Sequence, residues 1–254
     1  MKKFIEQLAK QAGQALLKEF DKKRAFKFKG KHDIVTRADL LAEKIILTKI
    51  RKKYPTHQIL SEEAGLKKTK SDYLWIVDPL DGTTNFAFGN PLFSTCIALA
   101  KNKKVIAGAI YIPYMKEMYS AEINKGAFLN NKKIKVSKNN DLNQAFITYC
   151  HGGEEKHMKR LLKYYNYLKL NYFDARQLGS AGVELAFVAS GKTDLYFAPG
   201  EKAWDAAAGS LIVKEAGGKV TDFEGMKWTI ASQDILATNS KIHSKILKVL
   251  KNVK

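Results

Sequence analysis

Trp75-Ile-Val-Asp-Pro-Leu-Asp-Gly-Thr-Thr-Asn85 is the stretch on which the reading of this chain turns. It opens with an apolar run suited to a buried strand. The run delivers two carboxylates, Asp78 and Asp81, three residues apart across a proline. Gly82-Thr83-Thr84 follows, with backbone N–H groups free to face an anion. Two acids at the end of an apolar strand repel each other unless a cation compensates them. Hard divalent cations take oxygen ligands, so one short segment holds an element for a metal and an element for a phosphoryl group.

Around this stretch the hydrophobic pattern falls into two styles. On the N-terminal side, Phe4, Ile5, Leu8, Ala12, Ala15 and Leu16 recur at helical spacing and predict a helix over 4–20. Residues 21–32 are basic and dotted with Phe, and read as a loop or an irregular hairpin. A second helix is predicted over 37–53, with Thr36 as its N-cap, Asp39 three residues on, and Tyr54-Pro55 closing it. Strands are expected at 58–61 and 73–77, then an antiparallel meander at 93–101, 105–112 and 117–121. The 126–136 stretch turns at Asn130-Asn131.

Near residue 142 the style changes to alternating helix and strand. Strands are expected at 145–150, 193–197, 219–221 and 235–238, and helices at 154–169, 180–189, 204–216 and 241–250. The expectation is an α/β protein with alternating α-β-α-β-α layers. Its two halves, 1–142 and 143–254, pack into one unit.

Composition bounds the function classes. A chain of 254 residues, 45% hydrophobic and 27% charged, suits a globular protein with a sizeable core. Glu6, Lys10 and Gln11 interrupt the first apolar segment, so no signal peptide is read, and no stretch is apolar enough to span a bilayer. Cys96 and Cys150 sit in apolar surroundings without zinc-type spacing, which suits free thiols in a reducing cytoplasm. The net charge of +19 invites a nucleic-acid or polyanion partner. Only five of the 44 basic residues are arginine, however, and base reading and phosphate clamping favour arginine. A dispersed lysine surface that steers an anionic metabolite accounts for the charge as well.

Further carboxylates stand where strands end or helices begin: Asp33, Asp39, Glu62 and Asp205. Taken singly, each has a plain structural role. Asp33 could shape a turn, Asp39 complete a capping box, Glu62 lie in a solvated loop, and Asp205 complement a helix dipole. Taken with Asp78 and Asp81, they form a set of oxygen donors that favours Mg²⁺ over zinc or copper.

These residues carry a resemblance to the inositol monophosphatase family of lithium-sensitive, Mg²⁺-dependent phosphatases. The matching segments are Asp33-Ile-Val-Thr36 with Asp39, Ser61-Glu-Glu63, the 75–85 stretch, Trp204-Asp-Ala-Ala-Ala-Gly209 and Glu215-Ala-Gly-Gly218. Gly126-Ala-Phe-Leu-Asn130, Val136-Ser137 and Leu178-Gly-Ser-Ala181 support them, and their order spans nearly the whole chain. The resemblance implies two to three Mg²⁺ per site. Glu62, Asp78 and the Leu80 carbonyl would hold the first, and Asp78, Asp81 and Asp205 the second. A third, weaker ion would lie near Glu62.

The resemblance further implies that Asp39 polarises Thr83 to activate the attacking water and that the Gly82 and Thr83 amides bind phosphate. Lys29 and Asp33 would lie in a mobile loop over the site, and homodimers are common in the family. Many members place a substrate-contacting carboxylate seven residues before the Trp-Asp aspartate, where this chain has Ala198. Glu201 is the nearby acid, and Ala181 and Arg176 are the other candidate substrate contacts. An inositol phosphate is the leading substrate. Fructose 1,6-bisphosphate, histidinol phosphate and 3′-phosphoadenosine 5′-phosphate are alternatives, and an RNA-binding or transcription-associated protein on the same fold is the reading from another class.

Overall fold

The computed structural model describes residues 1–253 apart from 21, 23, 24, 31, 32 and 173, and the side chain of Asp33 also lies outside the description. The chain opens with α1 (Lys2–Phe20), a hairpin of β1 (Phe26–Gly30) and β2 (Asp33–Thr36), and α2 (Arg37–Lys53). There follow β3 (Gln58–Ser61), β4 (Gly65–Lys67), β5 (Tyr73–Asp81), the short α3 (Thr83–Phe88), β6 (Ser94–Lys101), β7 (Lys104–Ile112), β8 (Glu117–Glu122), β9 (Ala127–Leu129) and β10 (Lys132–Ile134). The remainder comprises β11 (Phe146–Tyr149), α4 (Glu155–Asn171), β12 (Asp174–Arg176), α5 (Ala181–Ala189), β13 (Leu195–Pro199), α6 (Ala203–Glu215), β14 (Lys219–Thr221), β15 (Asp234–Thr238) and α7 (His243–Asn252).

Two large sheets order these elements. One has eight strands in the order β10-β9-β8-β7-β6-β5-β3-β4, and the other has five in the order β12-β11-β13-β15-β14. Helices α1 and α2 cover one face of the larger sheet, α5 and α6 lie between the sheets, and α4 and α7 cover the far face of the smaller one. The result is an α-β-α-β-α sandwich. Strand pleating explains the layering. In β5, β6 and β7, Trp75, Val77, Ile97, Leu99, Ala107 and Ala109 pack in the core with α1 and α2. Their alternating neighbours Ile76, Cys96, Ala98, Ile110 and Ile112 pack in the core with α5 and α6. Both faces are covered, which is why these strands read as continuous apolar runs.

The structure departs from the sequence reading in a few places. Strand β5 does not stop at Val77 but runs to Asp81, because Pro79 sits in a register shift against β6 where a missing N–H breaks no ladder bond. Residues 83–88 form a helical turn between Gly82 and Gly89, both at positive φ (86° and 81°), which a short polar-aromatic segment does not advertise. Three-residue strands β4 and β12 are too short to show a period. The 26–36 segment is a hairpin with a bulge near Gly30. Among the described residues no helix is long and apolar enough to cross a membrane.

Candidate metal centre

The two carboxylates of the 75–85 stretch meet on one face because of the irregularity in β5. In a regular strand, residues three apart point to opposite faces. Here Asp78 pairs with Cys96 and Asp81 with Ser94, so three steps on β5 oppose two on β6. The extra residue restores the parity, and both acids point the same way. The Leu80 N–H donates to Asp78 Oδ1 at 3.0 Å, a local turn that fixes that side chain.

Glu62 reaches the same place from the neighbouring strand. β3 runs parallel to β5 with Ser61 opposite Val77, and the Glu62 N–H donates to the Val77 carbonyl at 3.1 Å. Glu62 and Asp78 therefore leave adjacent strand ends together. Glu43 of α2 braces this loop, accepting from the Ser61 hydroxyl and from the Ala64 N–H at 2.9 Å. Lys29 of β1 lies over it, with Nζ 2.9 Å from Glu62 Oε1 and 2.7 Å from Glu63 Oε1.

Asp205 arrives from the second half of the chain, in the first turn of α6, where its Oδ2 accepts the Lys202 N–H at 3.0 Å. Asp81 is tied to that half as well. Its oxygens accept the Ala181 N–H at 3.0 Å, the Gly182 N–H at 2.9 Å, the Ser94 hydroxyl at 2.7 Å and the Ser180 hydroxyl. The first turn of α5 thus cradles Asp81 with amides and a favourable dipole. A Cβ on Gly182 would stand 2.5 Å from both Cys96 Sγ and Ser94 Oγ and 2.9 Å from Asp81 Oδ2, so only glycine fits there. Asn85 ties α3 to the same loop, donating to the carbonyls of Leu92 at 2.6 Å and Leu178 at 2.7 Å.

Burial dominates the electrostatics, with crowded like charge adding to it at Asp78 and Asp205. Burial, then the charges of Glu62, Asp81 and Asp205, push the Asp78 carboxyl well above the usual range. Burial also raises Asp81 and, with Glu201, Glu62 and Asp81 as neighbours, lifts Asp205 strongly. Glu62 is pushed up to about 7 by burial despite Lys29 beside it. Among the described residues, no three His, Cys, Asp or Glu side chains close on a single point as a preformed cage. Like carboxylates hold each other apart. What the fold supplies is a buried set of oxygen donors with a deficit of positive charge.

Beside this set stands the Asp39–Thr83 pair. Asp39 is fully buried, and its Oδ1 lies 3.0 Å from Thr83 Oγ1, while its Oδ2 takes the Thr36 N–H at 2.8 Å and the Thr36 hydroxyl. Burial raises its carboxyl, and those hydrogen bonds oppose the rise. Thr83 Oγ1 also lies 2.9 Å from the Leu80 carbonyl. The amides at the start of α3 have no intrahelical acceptor.

Ala198 is a core residue of β13, whereas Glu201 is buried beside Asp205. Glu201 Oε1 accepts the Tyr196 hydroxyl at 2.7 Å, its Oε2 has no hydrogen-bond partner among the described residues, and burial pushes its carboxyl up to about 7. The Pro199-Gly200 turn, with Gly200 at φ 82°, returns the acid toward the α6 start, which offset counting along the sequence does not reveal. Arg176 is exposed on β12 and engaged with Asp174 and the Ala175 carbonyl. Among the described residues it makes no bond to the carboxylate set. Asp33 opens β2, and its side chain lies outside the described residues. Ala181 meets the set through its backbone. Glu43, Ser94 and Gly182 are positioning residues the sequence reading missed, and Ser180, quoted there in the Leu178-Gly-Ser-Ala181 match and as the first residue of a predicted helix, is instead the N-cap of α5. Both cysteines are free, Cys96 buried and Cys150 half-buried.

Comparison with known proteins gives the family and the overall fold. The family model described as the inositol monophosphatase family matches residues 1–254. An inositol-1-monophosphatase of Mesorhizobium japonicum is 38% identical, covering 96% of this chain and 94% of its own. The Nus factor SuhB of Pasteurella multocida is 37% identical, covering 94% and 91% respectively. The crystal structure of the extragenic suppressor protein suhB from Bartonella henselae superposes with a TM-score of 0.91 at 37% identity, over 97% of this chain and 96% of that one.

Proposed function

Because this chain belongs to the inositol monophosphatase family, we propose that it is a Mg²⁺-dependent phosphatase acting on the phosphate monoester of a small polyol or sugar, an inositol phosphate first among them. The observation that carries the reading is the set Glu62, Asp78, Asp81 and Asp205, buried or half-buried, whose carboxyls are all raised. Oxygen-only donors with an excess of negative charge, of which Lys29 offsets only part at Glu62, fit two to three Mg²⁺. Glu62, Asp78 and the Leu80 carbonyl would hold one ion, Asp78, Asp81 and Asp205 a second, with a weaker third near Glu62. Bound there, Mg²⁺ supplies charge stabilisation for phosphoryl transfer and lowers the pKa of a coordinated water.

The chain's own groups do the rest. The Thr83 hydroxyl has one proton for two acceptors, Asp39 Oδ1 and the Leu80 carbonyl. Donated to Asp39, it leaves the Thr83 oxygen as an acceptor that orients a water and takes up its proton as the hydroxyl's own proton passes to Asp39 Oδ1. Amides of Gly82 and Thr83 face the phosphate oxygens without needing a guanidinium. Glu201, with an unpartnered buried oxygen, is placed to accept from a hydroxyl of the alcohol. Lys29, paired with Glu62 and Glu63 from the β1–β2 hairpin, closes over that side.

The test is phosphate release from inositol 1-phosphate, fructose 1,6-bisphosphate, histidinol phosphate and 3′-phosphoadenosine 5′-phosphate, with Mg²⁺, with EDTA and with added Li⁺. Mg²⁺-dependent release that EDTA abolishes is expected, and the ranking identifies the substrate. No release from any ester defeats the proposal. A second reading rests on the net charge of +19 and on relatives called Nus factor SuhB. In that reading the chain binds RNA or a transcription complex, and RNA retention at moderate salt without phosphate release would favour it.

A further inference from the structure

A cavity of 540 Å³ lies along the C-terminal half of α6, lined by Leu211 and Lys214 of that helix, Trp228 and Ile230 before β15, Val105 of β7 and Lys103 of the β6–β7 turn. Its size falls within the roughly 300–1,000 Å³ of small-molecule sites. Lys214 stands nine residues beyond Asp205 on the same helix, which separates this cavity from the carboxylate set by ~14 Å along the axis.

Its chemistry is the reverse of the metal centre's. The walls are apolar, and Trp228 is 3% exposed with an indole N–H that has no hydrogen-bond partner among the described residues. Lys103, Lys104, Lys214 and Lys227 surround them, and among the described residues none of these four pairs with a carboxylate. Glu215, the acid on the wall, is already committed, accepting the Asn124 and Gly126 amides at 2.8 Å each. Lys214 is half-buried, its ammonium 5.7 Å from the Trp228 ring centre, and burial together with Lys227 pushes it down to about 8. Apolar walls with unpaired ammonium groups suit a ligand that is itself half apolar and half anionic.

We propose that this cavity is a second ligand site, for a small organic anion with a planar apolar body, seated against Trp228 and Leu211 with its acid group between Lys214 and Lys227. Simple inorganic anions would leave the walls unused, and a neutral hydrophobe would leave the lysines unpaired.

The test is a fluorescence titration of the full chain, with Mg²⁺ present, using 1-anilinonaphthalene-8-sulfonate and its uncharged relative N-phenyl-1-naphthylamine. The expected result is one saturable site that takes the sulfonate at least about tenfold more tightly than the neutral dye, a preference lost in Lys227→Glu and in Lys214→Gln. Lys227 is exposed, so its variant tests the charge without disturbing the core. Millimolar inorganic phosphate, which competes at the metal centre, should not displace the dye. Equal binding of the two dyes, unchanged binding in both variants, or displacement by phosphate would each overturn the proposal.

Discussion

At the scale of single residues, the site is a contest between burial and charge. Asp81 takes four protein hydrogen bonds and Asp205 takes one, yet both carboxyls are raised, because burial outweighs these bonds. Replacing either with Asn removes a proposed cation ligand while keeping its shape. Asp81→Asn and Asp205→Asn should each lower kcat/KM beyond the ~10–100-fold typical of lost outer-sphere partners, with an unchanged circular dichroism spectrum. Near wild-type turnover in either variant would refute the assignment. Thr83→Ala and Asp39→Asn should lower kcat by roughly 10²–10⁴, the range of general-base contributions, with a smaller change in KM. At this scale the acids of the 75–85 stretch were legible from their spacing, and Glu62 and Asp205 only as members of a joint set with the family resemblance behind it, since each alone has a plain structural role. Glu201 was only half legible, because the Pro199-Gly200 turn that aims it is a three-dimensional fact.

Elements decide whether those residues meet. Without the β5 bulge, Asp78 and Asp81 would face opposite sides of the sheet, and without the α5 start Asp81 would lack its amide cradle. Gly182→Ala tests the cradle directly. The added methyl meets Ser94, Cys96 and Asp81, so a loss of about 1–3 kcal/mol in denaturant unfolding is expected from overpacking. Phosphatase activity should fall with it. Ser180→Ala removes the α5 N-cap, which accepts the Val183 N–H, and should cost about 1 kcal/mol. The elements themselves were mostly legible from periodicity. The exceptions, α3, β4 and β12, are six residues or fewer, too short for a period to register.

For the molecule as a whole, the raised carboxyls become a statement about stability. In the metal-free protein, Glu62 and Glu201 are pushed up to about 7 and burial raises Asp78 and Asp205 well above the usual carboxylate range, so the folded state binds protons that the unfolded chain releases. Stability then falls as pH rises through that range. His243, held down to about 4, acts in the opposite sense, but only below its ordinary value of 6.5. Between about pH 5 and pH 7 the four raised carboxyls outnumber the lowered histidines His57, His157 and His243, and thermal melts in EDTA should show a decreasing Tm, whereas Lys214, held down to about 8, opposes the trend above pH 7. Mg²⁺ should raise Tm most at the alkaline end, because deprotonated carboxylates bind it. A Tm that is flat in EDTA, or a Mg²⁺ effect largest at the acid end, would contradict this picture. Across the molecule, the sequence by itself determined the donor types and the layers. Oxygen donors at strand ends are what a hard cation would take, and the spacing of apolar residues sets which faces are covered. Only the tertiary structure decided how the acids converge. Their convergence depends on a register shift between β5 and β6, on a helix start 100 residues beyond Asp81, and on a turn that swings Glu201 beside Asp205. Contacts between residues far apart in the chain arise from packing, and leave no local pattern to read.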